Sequence, residues 1–419
     1  MKLSNVIIWN GLSVLVKVFT LMGVNKVFAY FAGPAGYAYI SQLQNVTNLA
    51  LVIPVNSINS ATIKYTSTLE EKERPEFWKT SFSLMVFFCS IISFALIVCS
   101  EYLSIYVFDT GRYWYIFAIY SITIFLFSAN SFIISIFNGL KNLKGYVYAN
   151  ILGNISTLIL SCLLIFLYRM EGAILSVVLN QALNLVITLS LFRKFNDIPF
   201  SRVIGLGSKK EVNKILSFSS MAIFAGLILP FSLMIIRNII IEFDGIDNAG
   251  LWDGVWKIST IYLSLISTTL SVYFLPRFSE LKKKDDLKRE LLNGSVIVMS
   301  LTATPALIIY IFRHEIVSLL FTYEFKDMVN LLKYQLLGDV LKMASWILGY
   351  FVISKACIRE YIFTETIQWL LFIITAYFFV RYEGVSGVQY AYFLTQILYF
   401  FTLVIVVARI LSNNVRLSN

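Results

Sequence analysis

Charged side chains inside long apolar runs are the residues of this sequence that could do chemistry. The stretch LWDGVWKIST, at 251–260, places Asp253 and Lys257 four residues apart between runs such as FSLMII and IYLSLISTTLSVYFL. Four residues make about one helical turn, so the two can pair, with the acid on the favoured N-terminal side. Because a charge at the centre of a membrane helix costs about 2.5–3.5 kcal/mol on insertion scales, we expect such residues to face water, a partner or a polar ligand.

The apolar runs indicate the class of protein that must position these charges. The chain has 419 residues, of which 58% are hydrophobic and only 14% are charged, and runs of about 20 apolar residues, enough to cross a bilayer as helices, recur along it. We therefore predict an all-α integral membrane protein. Its twelve predicted spans are 6–31, 37–60, 80–100, 114–138, 146–168, 172–192, 215–241, 250–275, 294–312, 328–354, 362–380 and 385–408.

Basic residues in the links between spans predict the orientation. One side of the membrane collects 23 Lys and Arg residues and the other side five. Since the basic side is normally cytoplasmic, both termini are predicted to lie in the cytoplasm. The same asymmetry explains most of the formal net charge of +10, which therefore needs no nucleic-acid partner. The run KKKDDLKRE at 282–290 is interpreted as a solvated cytoplasmic loop, with contact to anionic lipid as the secondary interpretation.

A weak internal repeat predicts how the spans are grouped. RMEG at 169–172 returns as RYEG at 381–384, and KGY at 144–146 returns as REY at 359–361, at nearly the same offset along the chain. Six helices are an even number, so both halves would insert with the same polarity, related by a pseudo-twofold axis along the membrane normal. We predict two six-helix bundles around a central polar, cationic cleft. The predicted domains are 1–192, a cytoplasmic linker at 193–214, and 215–419.

Polar residues recur at helical spacing within several spans. In the eighth span the steps alternate between four and three, which marks one helix face: Asp253, Lys257, Thr260, Ser264, Ser267 and Ser271. Stripes of Ser and Asn also join helices in membranes, and this packing role remains the alternative for the uncharged positions. Asp339 and Lys342 can pair along the tenth span, as Asp253 and Lys257 can along the eighth.

The remaining charges inside the spans predict the kind of ligand. Lys17, Lys26 and Arg237 have no obvious acidic partner in the sequence, so the interior is expected to be net positive and to receive an anion. Asp253, Asp339 and Glu365 are the candidate carriers of a coupling proton or cation. We find no G-x-x-x-x-G-K-[ST] phosphate loop, and one histidine with four scattered cysteines favours neither a metal site nor a cofactor. Any uphill work would then come from a proton or sodium gradient, or from consumption of the product on the far side of the membrane.

Three segments resemble a known family. FAGPAGYAYISQLQN at 32–46, SVYFLPRFSEL at 271–281 and LLGDVLKMASWILGYFVISKA at 336–356 are similar to Wzx-type O-antigen flippases, within the multidrug/oligosaccharidyl-lipid/polysaccharide exporter superfamily. The likeness is greatest to members that export the lipid-linked enterobacterial common antigen unit. Charged positions of the family pattern are matched by Lys17, Lys26, Lys64, Arg237, Asp339, Lys342 and Glu365. Asp253 and Lys257 do not belong to that pattern.

The resemblance implies a transporter and not an enzyme. Its substrate would be an undecaprenyl-diphosphate-linked oligosaccharide, moved by alternating access from the cytoplasmic to the periplasmic leaflet of the bacterial inner membrane during lipopolysaccharide O-antigen or related polysaccharide synthesis. A polymerase and a chain-length regulator are possible further partners. The diphosphate is predicted to bind Lys17, Lys26, Arg237 and Lys342; the cavity or coupling candidates are Asp253, Lys257, Asp339, Glu365 and Lys64.

Two other functions remain open at this stage. A cation-coupled multidrug exporter of the same superfamily would be expected to have an acidic or apolar cavity, whereas this interior is predicted to be basic. A membrane-embedded glycosyl or acyl transferase would need clustered acids or a catalytic histidine, and neither is evident in the sequence.

The predicted orientation can be tested by cysteine labelling. We expect cysteines introduced at Arg202 and Lys283 to be protected from an impermeant thiol reagent in whole cells, and cysteines at Arg112 and Lys326 to react, because the basic links face the cytoplasm. The test is made with the native cysteines replaced, and permeabilised cells serve as the control. Labelling at 283 without labelling at 326 would reverse the orientation.

Overall fold

The structure is a computed structural model that describes residues 3–195, 198–205, 207–281, 283–355 and 357–412. Helices account for most of this length, joined by short turns. The α-helices are α1 (Leu3–Leu51), α2 (Ile58–Thr68), α3 (Arg74–Val98), α4 (Ser100–Phe108), α5 (Trp114–Gly139), α6 (Leu143–Phe195), α7 (Lys209–Asp244), α8 (Ile246–Glu280), α9 (Lys284–Ile311), α10 (Arg313–Leu320), α11 (Leu332–Ser354), α12 (Ile358–Glu383) and α13 (Val385–Ser412). A π-helical turn spans Val52–Ser57, and 3₁₀ segments span Gly111–Tyr113, Phe200–Arg202 and Tyr323–Leu331.

The helices match the predicted spans closely. Within the described residues, nine helical stretches are long and apolar enough to cross a membrane. Two of these stretches are long enough for two spans each. Each contains a bend that divides it, at Gly33 (φ 62°) in α1 and at Arg169 (φ 50°) in α6. Helix α8 follows the predicted eighth span, where the charges occur, but is not one of the nine stretches found among the described residues. The predicted all-α membrane architecture is therefore confirmed.

The internal repeat is visible in the backbone. Gly33 and Gly245, which both have a positive φ, stand at corresponding places in the two halves. Arg169 (φ 50°, ψ −122°) and Gly384 (φ 57°, ψ −147°) share another unusual conformation, at nearly the same offset along the chain. The short helices α4 and α10 also occupy equivalent places, since each follows the third long helix of its half. Non-glycine residues seldom adopt a positive φ. Arg169 nevertheless does so, and thereby makes in the first half the bend that Gly384 makes in the second.

The chain forms two compact units. Unit 1 comprises Met1–Ala32 and Tyr39–Phe231, and unit 2 comprises Gly33–Ala38 and Ser232–Asn419. The division falls within α7, later than the 193–214 linker proposed from the sequence, and the short segment after the first span belongs to unit 2. The boundary between the units is therefore set by how the helices pack, and it does not coincide with the longest polar link of the sequence.

Helix α5 is central to unit 1, where it packs against α2, α3, α4 and α6. Its buried face carries Phe117, Tyr120 and Ile124. The outward faces of the surrounding helices are apolar as well, for example at Phe94 of α3 and Phe166 of α6, which are 70% and 78% exposed. Large exposed apolar side chains of this kind are suited to lipid and not to water.

Helix α11 is central to unit 2, where it packs against α8, α9, α12 and α13. Helix α9 shows the two-sided character of a membrane helix: Leu291 and Val298 are buried, whereas Leu292 and Val296 are exposed. Because α11 is enclosed by four other helices, its polar side chains must find partners inside the unit.

The segment Gly33–Ala38 is held in unit 2 by specific contacts. The backbone N–H of Ala35 donates a hydrogen bond to Oδ1 of Asp247 at 3.1 Å. The ring of Tyr37 packs edge-on against Phe321 and Phe325, with centroid separations of 5.8 and 5.7 Å. These contacts position this segment against the first turn of α8 and the 3₁₀ segment Tyr323–Leu331.

Two glycines of the repeat provide a stability test. A Cβ at Gly172 would overlap the carbonyl of Leu164, and a Cβ at Gly387 would overlap that of Phe379, on the far side of the bend in each case. We expect Gly172→Ala and Gly387→Ala to destabilise the protein by about 1–3 kcal/mol, the usual effect of overpacking. Thermal unfolding of the detergent-purified variants measures this effect.

Gly349→Ala is the matched control, because nothing lies within 4 Å of a Cβ at that helical position. It should be neutral, or stabilising by up to about 1 kcal/mol from helix propensity. Equal unfolding temperatures for the three variants would contradict the close approach of the two bends.

Candidate functional site

Asp339 is the most deeply enclosed charged residue of the predicted set, with no solvent exposure. Its Oδ2 accepts a hydrogen bond from the hydroxyl of Tyr262 on α8, and its Oδ1 accepts one from the hydroxyl of Tyr392 on α13, both at 2.8 Å. Gln335, one turn earlier on α11, donates from Nε2 to Oδ1 at 3.3 Å. These donors compensate for the water that the carboxylate loses on burial.

The two tyrosines belong to this candidate site, and the sequence reasoning missed them. On α13, Gln389, Tyr392, Gln396 and Tyr399 follow steps of three, four and three, and all four are buried. This spacing marks one helix face and was available in the sequence as a signal. Tyr262 lies off the polar stripe predicted for the eighth span, so spacing alone could not identify it.

Glu365 on α12 is bound by the same face of α13. The hydroxyl of Tyr399 donates to its Oε1 at 2.8 Å. Because Tyr392 and Tyr399 are separated by about two helical turns, one face of α13 holds the carboxylates of two other helices. The carboxylates of the site are therefore held mainly by hydrogen bonds between helices, and Asp339 has one further donor, Gln335, on its own helix.

Lys342 lies one turn beyond Asp339 on α11 and is surrounded by aromatic rings. Its Nζ is 5.1 Å from the ring centre of Trp256, 5.7 Å from that of Trp346 and 5.9 Å from that of Tyr392. Asp339 and Glu365 are the carboxylates that act on it electrostatically. Cation–π contact within about 6 Å is favourable where water is excluded, so the ammonium group is stabilised without a complete hydration shell.

Arg237 on α7 and Asp253 on α8 form a buried ion pair. Nε of Arg237 donates to Oδ2 of Asp253 at 2.7 Å and Nη2 donates to Oδ1 at 2.5 Å. The two side chains are 2% and 5% exposed. The guanidinium carbon also lies 5.9 Å from the ring centre of Trp252. Two parallel N–H···O contacts make this the geometry in which an arginine recognises a planar two-oxygen edge.

This pair corrects the expectation that Arg237 lacks an acidic partner. The carboxylate that neutralises it, Asp253, was assigned by the sequence to Lys257, four residues along the same helix. The pairing of Asp253 with Lys257 remains a prediction. The face of α8 that contacts the other helices of unit 2 also differs from the predicted polar stripe. Thr260 of that stripe is exposed, whereas Trp256 packs on Tyr392 and Tyr262 donates to Asp339.

The candidates of unit 1 have a different environment. Lys17 and Lys64 are exposed and Lys26 is half-buried. Nζ of Lys64 lies 5.4 Å from the ring centre of Tyr65. The binding roles predicted for these three lysines remain predictions.

Uncharged polar residues of unit 1 join helices, as the packing alternative expected. Nδ2 of Asn59 on α2 donates to Oγ of Ser131 on α5 at 2.7 Å. Within α6, across the bend at Arg169, Asn180 donates to Ser161 at 3.1 Å and Asn184 donates to Thr157 at 3.2 Å. These contacts explain several Ser and Asn positions without a ligand.

Several buried polar atoms of unit 2 have no hydrogen-bond partner among the described residues. They include Nε1 of Trp252, Oε1 of Gln335 and both amide atoms of Gln389. Buried polar atoms normally bond to protein, water or a ligand. Trp252 is notable because its indole donor belongs to the residue next to Asp253, beside the guanidinium of Arg237.

Comparison with known proteins agrees with this architecture. Residues 3–282 match the family described as "Polysaccharide biosynthesis protein". The chain is 26% identical over 402 residues to the Lipid III flippase of Escherichia coli (strain K12), covering 96% of this chain and 97% of that protein, and it matches the Lipid III flippase of Shigella flexneri to the same extent.

Solved structures share the fold. An inward-facing multidrug resistance MATE family transporter of the MOP superfamily superposes with a TM-score of 0.77 at 13% identity, covering 95% of each chain. Lipid II flippase MurJ in an inward closed conformation gives a TM-score of 0.75 at 14% identity, covering 96% of this chain and 87% of that one. Since the family match extends over more than half of the sequence, this chain belongs to the polysaccharide biosynthesis protein family of membrane proteins.

Proposed function

We propose that this protein is a flippase for a lipid-linked oligosaccharide, and that unit 2 binds the diphosphate of its substrate through Arg237 and Lys342. The curated relatives that match the chain almost end to end are Lipid III flippases. The substrate class proposed here is accordingly an undecaprenyl-diphosphate-linked oligosaccharide of an O-antigen or related surface polysaccharide.

The observation that carries the proposal is the contact made by the Nε and Nη2 edge of the Arg237 guanidinium. This edge, called the fork below, is occupied by the carboxylate of Asp253. A guanidinium that is 2% exposed within a membrane helix already holds an oxyanion, the Asp253 carboxylate, by two contacts. A phosphate presents a similar two-oxygen edge, and arginine binds both groups in this way. The group is therefore built to recognise an oxyanion where hydrocarbon excludes water.

Two further groups of unit 2 are proposed to bind the remaining oxygens of the diphosphate. Trp252 supplies a buried indole N–H for which the described part of the chain offers no acceptor. Lys342 supplies a second cation, held by aromatic rings that can exchange contacts with a ligand more readily than a fixed salt bridge can. Trp256 and Trp346, which flank Lys342, also offer flat faces on which sugar rings could stack.

The transport cycle is proposed to be driven by an ion gradient, with Asp339 and Glu365 as the carriers. Both are carboxylates held by tyrosine hydroxyls near Lys342. The protein is proposed to lie in the bacterial inner membrane with both termini in the cytoplasm, from the asymmetry of its basic links. The unit 1 residues Lys17 and Lys26 are proposed to contribute further positive charge for the diphosphate, and Lys64 is proposed as a cavity or coupling residue.

A multidrug exporter of the same superfamily is the second candidate, since MATE transporters share the fold. The candidate site residues of unit 2 include as many cations as acids. The cations are Arg237, Lys257 and Lys342, and the acids are Asp253, Asp339 and Glu365. An exporter of organic cations would be expected to present an excess of acids to its ligand. The flippase is favoured by this balance and by the relatives that match nearly the whole chain.

The role of Lys342 can be tested against a lysine of the same helix. We expect Lys342→Ala to abolish surface glycan when it complements a strain that lacks its flippase, because the second cation of the diphosphate site is lost. Lys333→Ala is the matched control, since Lys333 also lies beside a tyrosine ring but is exposed, and it should retain export. Surface polysaccharide and protein level are both scored by immunoblot; full export by a well-expressed Lys342→Ala variant would remove Lys342 from the site.

Arg237→Lys separates charge from geometry. Lysine keeps the positive charge and a contact to Asp253 but cannot form the bidentate fork. We expect intermediate export, reduced by about tenfold, which corresponds to about 1.4 kcal/mol in the rate-limiting interaction. Arg237→Ala in the same assay should abolish export. Wild-type export by the lysine variant would mean that the fork geometry does not serve the substrate.

A further inference from the structure

We propose that Asp253 is an internal competitor of the substrate: its carboxylate occupies the oxyanion-binding fork of Arg237, and the diphosphate must displace it to bind. This inference rests on the proposed function of Arg237. It assigns to Asp253 the role of a specificity and release residue, which sets how tightly the diphosphate is held and allows it to leave.

The geometry makes the two ligands mutually exclusive. Nε and Nη2 of Arg237 form one edge of the guanidinium, and both are directed to Asp253, at 2.7 and 2.5 Å. A phosphate that used the same edge would place its oxygens where Oδ1 and Oδ2 now lie. At 2% and 5% exposure, the pair is closed to solvent, so a diphosphate that uses this edge of the guanidinium must exchange with the carboxylate.

The surroundings favour exchange over simple addition. When one oxyanion replaces another, the guanidinium is never left buried and unpaired, which is the most costly state of such a group. The carboxylate that leaves stays near a positive charge, because Lys257 lies one turn further along α8. The neighbouring indole N–H of Trp252 has no acceptor among the described residues, so the site has a donor that the carboxylate does not use and that a diphosphate can.

Competition of this kind lowers the apparent affinity for the diphosphate, because the contacts between Arg237 and Asp253 must be broken as the diphosphate binds. It also assists release, since the returning carboxylate takes the place of the departing diphosphate. Removing the carboxylate should therefore raise affinity and lower turnover together. If the ion pair were purely structural, removing the carboxylate would lower both affinity and turnover, because its loss would only disorder the site.

Binding of farnesyl diphosphate to the detergent-purified protein, measured by titration calorimetry, tests this inference. We expect Asp253→Asn to bind this probe about tenfold more tightly than the wild type, because the neutral amide competes less strongly than the carboxylate for the Arg237 guanidinium. The same variant should show reduced surface glycan in the complementation assay. Glu383→Gln is the matched control: it raises the net charge equally, at an exposed position of unit 2, and should leave affinity unchanged.

The outcomes distinguish this inference from the proposed function. If Arg237→Gln binds the probe as well as the wild type does, the anion site itself is wrong and the competitor role fails with it. If Arg237→Gln weakens binding but Asp253→Asn leaves it equal or weaker, the anion site stands and only the competitor role is overturned.

A measurement on the unmodified protein covers the case in which Asp253→Asn does not fold. Displacement by the probe should free the Asp253 carboxylate, so its modification by a hydrophobic carbodiimide, read by mass spectrometry of the peptide, should increase severalfold when farnesyl diphosphate is added. Unchanged modification of Asp253 in protein that binds the probe would overturn the exchange.

Discussion

The bidentate ion pair between Arg237 and Asp253 joins α7 to α8 where water is excluded, and it illustrates the constraint on which unit 2 depends. A charge in such a place must be matched by an opposite charge, by several hydrogen bonds or, for a cation, by aromatic rings, because its desolvation is otherwise not compensated. Arg237 is matched by a carboxylate, Asp339 by two tyrosines and a glutamine, and Lys342 by three aromatic rings. The packing of the helices follows from these requirements, since each partner comes from a different helix or turn.

Different kinds of partner allow the groups to behave differently during transport. A tyrosine hydroxyl or an aromatic face holds a charge without cancelling it, so Asp339 and Lys342 keep the ability to act on a ligand or an ion. The Arg237–Asp253 pair is neutral as a unit, and its cation becomes available only when the carboxylate leaves. In the proposed mechanism, this distinction between permanent and displaceable partners would let unit 2 bind an anion reversibly inside a membrane.

The repeat shows how one backbone plan carries two chemistries. The two halves bend at equivalent residues, at Gly33 and Gly245 and again at Arg169 and Gly384. The described polar contacts of unit 1 are mostly among neutral side chains, such as Asn59 with Ser131, whereas unit 2 holds the buried carboxylates and their partners. Helix and bend positions depend on backbone geometry, which tolerates many side chains, so the halves could retain the fold while only one developed a buried charged site.

The amino-acid sequence by itself determined the class of the protein, its spans and its repeat. These depend on local quantities: the length and hydropathy of each run, and the recurrence of short motifs such as RMEG and RYEG at a nearly constant offset. It also marked five charged residues as candidates for the site, because charges are conspicuous in apolar runs: Arg237, Asp253, Asp339, Lys342 and Glu365. Only the tertiary structure decided their partners. The sequence paired Asp253 with its neighbour on the same helix, whereas the structure shows it bound to Arg237 on another, and Tyr262, Tyr392 and Tyr399 were overlooked as donors. Pairing along a helix can be deduced from spacing, but pairing between helices depends on the depth and rotation of each helix, which are fixed by the packing of all its neighbours together.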